Sequence, residues 1–210
     1  MLKILIADDH PVFRRGLKQT IAEASDMVVA DEASDGLEVL SKVRAGNYDV
    51  VLLDISMPGR NGIDVLAQLI REKPRLPVLM LSMHPEEQYA VRALRTGASG
   101  YLTKESAPEE LVAAIQKVST GGKYVSASLG EKLASILQHK AEQLPHEILS
   151  HREYQVMCLI ASGRAITEIA KELLLSVKTI STYRSRILQK MKMKNSSELT
   201  RYAISNSLID

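Results

Sequence analysis

The first 120 residues alternate, five times over, between a short apolar run and a longer stretch whose apolar residues recur every three or four positions. The runs are Ile4 to Ala7, Val28 to Ala30, Val50 to Ile55, Val78 to Ser82 and Gly100 to Leu102, and they read as strands. The stretches that follow them, roughly 12–24, 36–45, 62–72, 86–96 and 108–119, read as helices; Leu111, Ala114, Ile115 and Val118 give the spacing in the last. This order admits few folds. Crossovers between parallel strands are right-handed, so the intervening helices cover both faces of an open parallel sheet. Val50 to Leu53 is apolar on both faces, as a central parallel strand requires.

The third run ends on a carboxylate, Asp54, immediately before a loop. Burying a lone charge is costly, so Asp54 needs a counter-charge, a proton or a chemical task. In an open parallel sheet, ligands sit beyond the carboxyl ends of the strands, where the strand order reverses. The first strand carries Asp8 and Asp9 at that end; if it neighbours the third, three carboxylates meet in one cleft and repel one another unless a cation neutralises them. Oxygen ligands at that density suit Mg2+. The fourth strand ends at Ser82 and the fifth is followed by Lys104, which adds a hydroxyl and an ammonium to the same rim. Such a rim can hold a phosphoryl group on metal and lysine while the Asp54 carboxylate attacks phosphorus to give an acyl phosphate. Each residue alone has a plainer reading, since strand-end aspartates cap helices and loop lysines are solvated. All five together, at the ends of four strands, favour a site over coincidence.

Asp8-Asp9-His10-Pro11, Leu53-Asp54-Ile55-Ser56-Met57-Pro58-Gly59-Arg60-Asn61-Gly62, Ser82, Tyr101 and Lys104 resemble a bacterial response-regulator receiver domain over residues 1 to about 120. The resemblance implies a flavodoxin-like α/β fold, with a five-stranded parallel sheet in the order 2-1-3-4-5. It implies that Asp54 takes a phosphoryl group from a histidine kinase, that Asp8, Asp9 and Asp54 with the Ser56 backbone carbonyl hold Mg2+, and that Lys104 binds a phosphoryl oxygen. Ser82 and Tyr101 would form the switch, the hydroxyl moving to the phosphoryl group and the ring turning into the vacated space. Many receivers place a cis proline after the lysine; here Glu105 follows, and the sequence leaves a trans bond and a strained cis bond both open. His10 and His84 lie near the rim without a third nitrogen or thiolate, so both read as loop residues rather than metal ligands.

Two charge regimes meet near Leu144. Residues 1–144 carry 17 basic and 19 acidic side chains, residues 145–210 carry 10 and 6, and between Lys178 and Lys194 there are six Lys or Arg and no Asp or Glu. Before that point Ser119-Thr120-Gly121-Gly122-Lys123 breaks the alternation, Ser128 to Ala141 reads as a polar helix, and Gln143-Leu144-Pro145-His146 ends it; residues 121–145 are the predicted linker. Four helices are predicted over 146–210. Ser150 with Glu153 makes a capping box on the first, and Gly163 ends it. Ile166 to Leu174 forms the second, Ser176 caps a third over Val177 to Met191, and the fourth spans about Ser197 to Ser207.

On the third of these helices Val177, Ile180, Ile187, Leu188 and Met191 share one face, and Lys178, Ser181, Thr182, Ser185 and Arg186 the other. Short hydroxyls can approach base edges in the major groove while Lys and Arg fix phosphates, as in the recognition helix of a helix-turn-helix. Thr179 and Lys190 complete the predicted DNA contacts. An amphipathic helix packed on another protein is the plain alternative. Leu149-Ser150-His151-Arg152-Glu153, Ile166-Thr167-Glu168-Ile169-Ala170 and Ser176-Val177-Lys178-Thr179-Ile180 resemble the LuxR-type DNA-binding domain over 149 to about 207, and receiver plus this domain is the arrangement of the NarL/FixJ group. The resemblance implies a homodimer on double-stranded DNA with Leu199, Tyr202, Ala203 and Ile204 at the subunit interface, and RNA polymerase as a further partner such a regulator can meet. Arg184 departs from the family pattern, in which that position is often apolar.

Cys158 is the sole cysteine, so no internal disulfide forms, and its neighbours Met157, Leu159 and Ile160 favour a packed thiol over a nucleophile. The N-terminus meets charge too early for a signal peptide and no run approaches membrane-spanning length, so the expected setting is the bacterial cytoplasm, without a membrane partner. A Mg2+-dependent phosphohydrolase with Asp54 as nucleophile would need a general acid two residues on, where Ser56 stands. A regulator whose basic helix meets an acidic protein is a third reading, which sequence-selective, salt-dependent binding to duplex DNA would exclude. The expectation carried forward is a DNA-binding response regulator and not an enzyme.

Overall fold

The computed structural model describes residues 1–83, 86–138 and 144–209. The five expected strands are β1 Leu2–Ala7, β2 Met27–Ala33, β3 Val50–Asp54, β4 Val78–Ser82 and β5 Gly100–Thr103. They form one parallel sheet in the order β2-β1-β3-β4-β5. Helices α1 Pro11–Glu23, α2 Gly36–Ala45, α3 Gly62–Glu72, α4 Glu86–Thr96 and α5 Pro108–Ser119 alternate with them.

Every residue of β3 is buried, because helices cover both faces. Ile4, Ile6, Val50, Leu52 and Leu79 pack with Leu17 and Ile21 of α1 and with Leu111, Ile115 and Val118 of α5. The alternate positions Leu5, Val51, Leu53 and Met80 are equally buried and turn toward the layer of α2, α3 and α4. Local chemistry sets the helix starts. Proline opens α1 and α5, where its missing N–H costs nothing. The Asp35 carboxylate caps α2 by accepting from the N–H groups of Leu37 and Glu38, and Asn61 caps α3 by accepting from Ile63.

The chain divides into two compact units, Met1–Leu133 and Ala134–Asp210. The first runs past α5 because Tyr124 bridges to Gly100 and its N–H donates to the Ser99 carbonyl at 2.9 Å. Helix α6, Ala127–Gln138, spans the division; residues 139–141 of the expected helix lie outside the described residues. In the second unit a 3-10 turn, Pro145–Ile148, precedes α7 His151–Ala161, α8 Ile166–Glu172, α9 Val177–Lys190 and α10 Ser196–Ser205. Ser150 and Glu153 close the expected capping box. Gly163 follows α7 with φ +81°, the left-handed conformation that glycine adopts without strain. Cys158 is buried, as its neighbours suggested.

One expected core position is not in the core. Val177 is 48% exposed, because the first residue of α9 leans over the preceding turn, beyond the packed helices beneath it. Among the described residues, no helix is long and apolar enough to cross a membrane.

Candidate functional site

Asp54 closes β3 and Asp8 follows β1, its neighbour in the sheet, and both are fully buried. Lys104 follows β5 and reaches back across the rim, its Nζ 2.6 Å from Asp8 Oδ2 and 2.9 Å from Asp54 Oδ2. The lysine side chain is 3% exposed. Its N–H donates to the Ser82 carbonyl at 2.7 Å, and its ammonium lies 4.9 Å from the Phe13 ring centroid. The Lys104–Glu105 bond is trans, which settles the alternative left open by the missing proline.

Asp8 Oδ1 accepts the His10 N–H at 2.8 Å, and Asp54 Oδ1 accepts the Ser56 N–H at 3.2 Å. Asp8 Oδ2 and Asp9 Oδ1 are buried without a well-directed hydrogen bond, although Lys104 lies close to the first and His10 Nδ1 is 2.8 Å from the second. The sequence suggests a loop role for His10. The structure sets its ring against two carboxylates, and adjacency to Asp9 was the one available signal. His84 lies outside the described residues.

One ligand atom from each of Asp8, Asp9, His10 and Asp54 falls within 4.8 Å of the others. One lysine cannot neutralise three carboxylates. Burial pushes the Asp54 carboxyl above its ordinary range; Lys104 pulls it down and Asp8 pushes it further up. Buried oxygens lacking hydrogen bonds, in a cluster with excess negative charge, are what a divalent cation satisfies, so the residues present fit a metal site.

The loop after β3 closes on this site through Gly62. Its N–H donates to the Ile55 carbonyl at 2.8 Å, and a Cβ there would stand 2.0 Å from the Asp54 carbonyl oxygen. No side chain fits. Ser82 and Tyr101 are both fully buried. Ser82 follows Leu81, which lies opposite Asp54, and Tyr101 lies opposite Met80 on the next strand. The Tyr101 ring is therefore packed inside in this structure.

In the second unit, the exposed face of α9 presents Lys178, Ser181, Thr182, Ser185 and Arg186. The Thr182 and Ser185 hydroxyls donate back to the Lys178 and Ser181 carbonyls at 3.0 and 3.1 Å, which leaves their lone pairs facing outward. Two other predicted contacts are engaged inside the unit. Thr179 Oγ1 pairs with Ser176 Oγ at 2.8 Å, and Lys190 Nζ lies 2.6 Å from Glu153 Oε2, a side chain only 5% exposed. Burial pushes the Glu153 carboxyl up, but Lys190 and Ser150 outweigh it and hold the group below its ordinary range. Arg184 is half-buried and donates from Nε to Ser196 Oγ at 2.9 Å, which joins α9 to α10. On α10, Leu199 and Ala203 are buried on the side packed against α7, Tyr202 shares a 2.8 Å hydrogen bond with His146, and Ile204 stands 56% exposed.

Residues 4–116 match the family model of the response regulator receiver domain, and residues 147–203 that of the bacterial regulatory proteins, luxR family. The chain is 36% identical over 216 residues to the oxygen regulatory protein NreC of Staphylococcus carnosus, covering 100% of both. It is 34% identical over 209 residues to the response regulator UvrY of Shigella flexneri, covering 99% of this chain and 96% of that one. It also resembles the solved structure of RcsB from Salmonella enterica serovar Typhimurium bound to a promoter in the presence of the phosphomimetic BeF3−, with 28% identity, 98% of each chain covered and a TM-score of 0.61. With both family models matched in order along one chain, the protein belongs to the two-component response regulators of the NarL/FixJ group, signal-transduction proteins rather than enzymes.

Proposed function

We propose that this regulator is switched by a phosphoryl group on Asp54. The observation that carries the reading is the Asp54 carboxylate, buried at the end of β3 and sharing Lys104 with Asp8. Asp8, Asp9 and Asp54, with the Ser56 backbone carbonyl, are the ligands we assign to Mg2+. Bound there, the ion supplies charge neutralisation and Lewis-acid polarisation of a phosphoryl group. An Asp54 oxygen attacks the phosphorus of a phosphohistidine on a histidine kinase; the P–N bond breaks, the histidine leaves, and an acyl phosphate forms. Lys104 steadies a phosphoryl oxygen as a point charge. Ser82 and Tyr101 act as the switch pair: drawing the Ser82 hydroxyl toward the phosphoryl group changes the space open to the Tyr101 ring.

In this reading residues 1–120 are the receiver, 121–145 the linker and 146–210 the DNA-binding domain, working in the bacterial cytoplasm. Lys178 and Arg186 meet phosphates of duplex DNA, while Ser181, Thr182 and Ser185 approach base edges. Val177, exposed at the helix start, adds an apolar surface suited to a thymine methyl. Thr179 and Lys190 serve chiefly to seat the helix. Promoter-bound RcsB with a phosphomimetic supports the link between phosphorylation and DNA. A homodimer uses Ile204 and the edge of Tyr202, with Leu199 and Ala203 supporting them from beneath.

The test is labelling by acetyl phosphate and Mg2+, followed by selective DNA binding at fixed salt, in the wild type and in Asp54→Ala. Labelling and tighter selective binding are expected in the wild type alone. Undiminished labelling of Asp54→Ala would sink the assignment.

A further inference from the structure

We propose that Arg14 is a positioning residue for the metal site, holding the peptide between Asp8 and Asp9 and so setting where the Asp9 carboxylate points; the inference rests on the metal reading above.

Strand β1 ends at Ala7, and the Asp8 N–H extends its ladder by donating to the Ala33 carbonyl at 3.1 Å. The Asp8 carbonyl takes its hydrogen bond from a side chain instead, Arg14 Nη1 at 2.5 Å. A peptide unit is planar, so pinning that oxygen fixes the plane running from the Asp8 Cα to the Asp9 Cα. Asp8 has other anchors in the His10 N–H and Lys104. Asp9 has few: its side chain is 30% exposed, its buried Oδ1 lacks a well-directed hydrogen bond, and the ring beside it, His10, is 59% exposed. Apart from His10 Nδ1, 2.8 Å from Oδ1, the preceding peptide plane is what aims the Asp9 carboxylate.

Arg14 is itself fixed. Its side chain is 18% exposed and its Nε donates to Glu32 Oε2 at 3.2 Å. Lys18, one turn further along α1, donates to Glu32 Oε1 at 2.6 Å. The Lys18 hydrogen bond, and after it that of Arg14, hold the Glu32 carboxyl below its ordinary range against partial burial. A chain of contacts thus runs from β2 through Glu32 and Arg14 to the acidic end of β1. The planar guanidinium suits this bridge, because Nε and Nη1 point in fixed directions at two acceptors; a lysine offers one point charge.

Charge alone makes Arg14 an unfavourable neighbour for a dication, so by repulsion its removal should tighten metal binding. Positioning predicts the opposite sign. The experiment is calorimetric titration of the full chain with Mg2+, without phosphodonor, at a temperature where circular dichroism shows each variant folded. Asp9→Asn should weaken binding strongly. Arg14→Gln should weaken it by about 10-fold, the scale of a lost contact behind a metal ligand, and Arg14→Lys, which keeps the charge, should weaken it too. Glu32→Gln should follow Arg14→Lys, and Lys18→Met should stay near the wild type. If Arg14→Gln does not fold, Arg14→Lys and Glu32→Gln carry the test. A purely structural role would lower metal-free thermal stability and leave the affinity unchanged. Unchanged or tighter binding in the Arg14 variants, with Asp9→Asn weakened, overturns the positioning role and leaves the metal reading standing. No Mg2+ binding by the wild type, or full-strength binding by Asp9→Asn, overturns the metal reading and this inference with it.

Discussion

Each unit buries a carboxylate against a lysine, and the two carboxyls are shifted in opposite directions. Glu153 has Lys190 at 2.6 Å and the Ser150 N–H at 2.8 Å, and it lies below its ordinary value of 4.5. Asp54 has Lys104 at 2.9 Å, but Asp8 sits 2.6 Å from the same ammonium, and Asp54 lies above its ordinary value of 3.8. Burial opposes the charge in both places. Two things separate them: Asp54 is the more deeply buried, which is the largest cause of its rise, and it competes with a second buried carboxylate for one lysine, whereas Glu153 has a cation to itself. In the helical unit the satisfied pair fixes α9 against α7. In the receiver the unmet charge leaves a cluster of acidic side chains consistent with a metal-binding site.

Removing each lysine tests this contrast most severely. Lys104→Met leaves two buried carboxylates without their cation and should lower the unfolding free energy by about 3–5 kcal/mol in chelator-treated protein, read by denaturant titration. Lys190→Met leaves one carboxylate, and the lysine side chain is 42% exposed, so water already screens the pair and a loss of about 1 kcal/mol is expected. Equal losses would erase the distinction.

The pH profile of stability sharpens it further. The Glu153 value is lowered on folding, so its contribution is present above 4.5 and is lost as pH falls through the folded value. The Asp54 value is raised, so metal-free stability is favoured below 3.8 and declines as pH rises through the folded value. Glu153→Gln should therefore flatten the acid limb of the profile, and Asp54→Asn should stabilise the metal-free protein at neutral pH. A destabilised Asp54→Asn at pH 7 would reverse the argument. The smallest effect on the fold is expected at the exposed face of α9. Arg186→Ala should change stability by less than about 0.5 kcal/mol, while the slope of log affinity for DNA against log salt falls by about one.

Strands, helices and caps were legible because each depends on residues close in the chain. Val50 to Ile55 declares a buried strand by composition, Leu111 to Val118 a helix by spacing, and Ser150 with Glu153 a cap by a three-residue interval. The strand ends that carry Asp8, Asp54 and Lys104 were legible in the same way, but that they converge rested on the sheet order that the family resemblance implied, which the fold shows. The cations that meet Glu153 and Glu32 were not legible. The capping box already accounts for Glu153, and nothing near it announces Lys190; the pair exists because α7 and α9 pack together. Arg14 reads as an ordinary polar residue of α1 until β2 brings Glu32 beside it. Val177 has the right periodicity for a core residue and is exposed because α9 begins there. Hydrogen bonds between near neighbours are set by local order along the chain, whereas buried charge pairs and the exposure of helix ends depend on how separate elements pack, and only the assembled fold decides them.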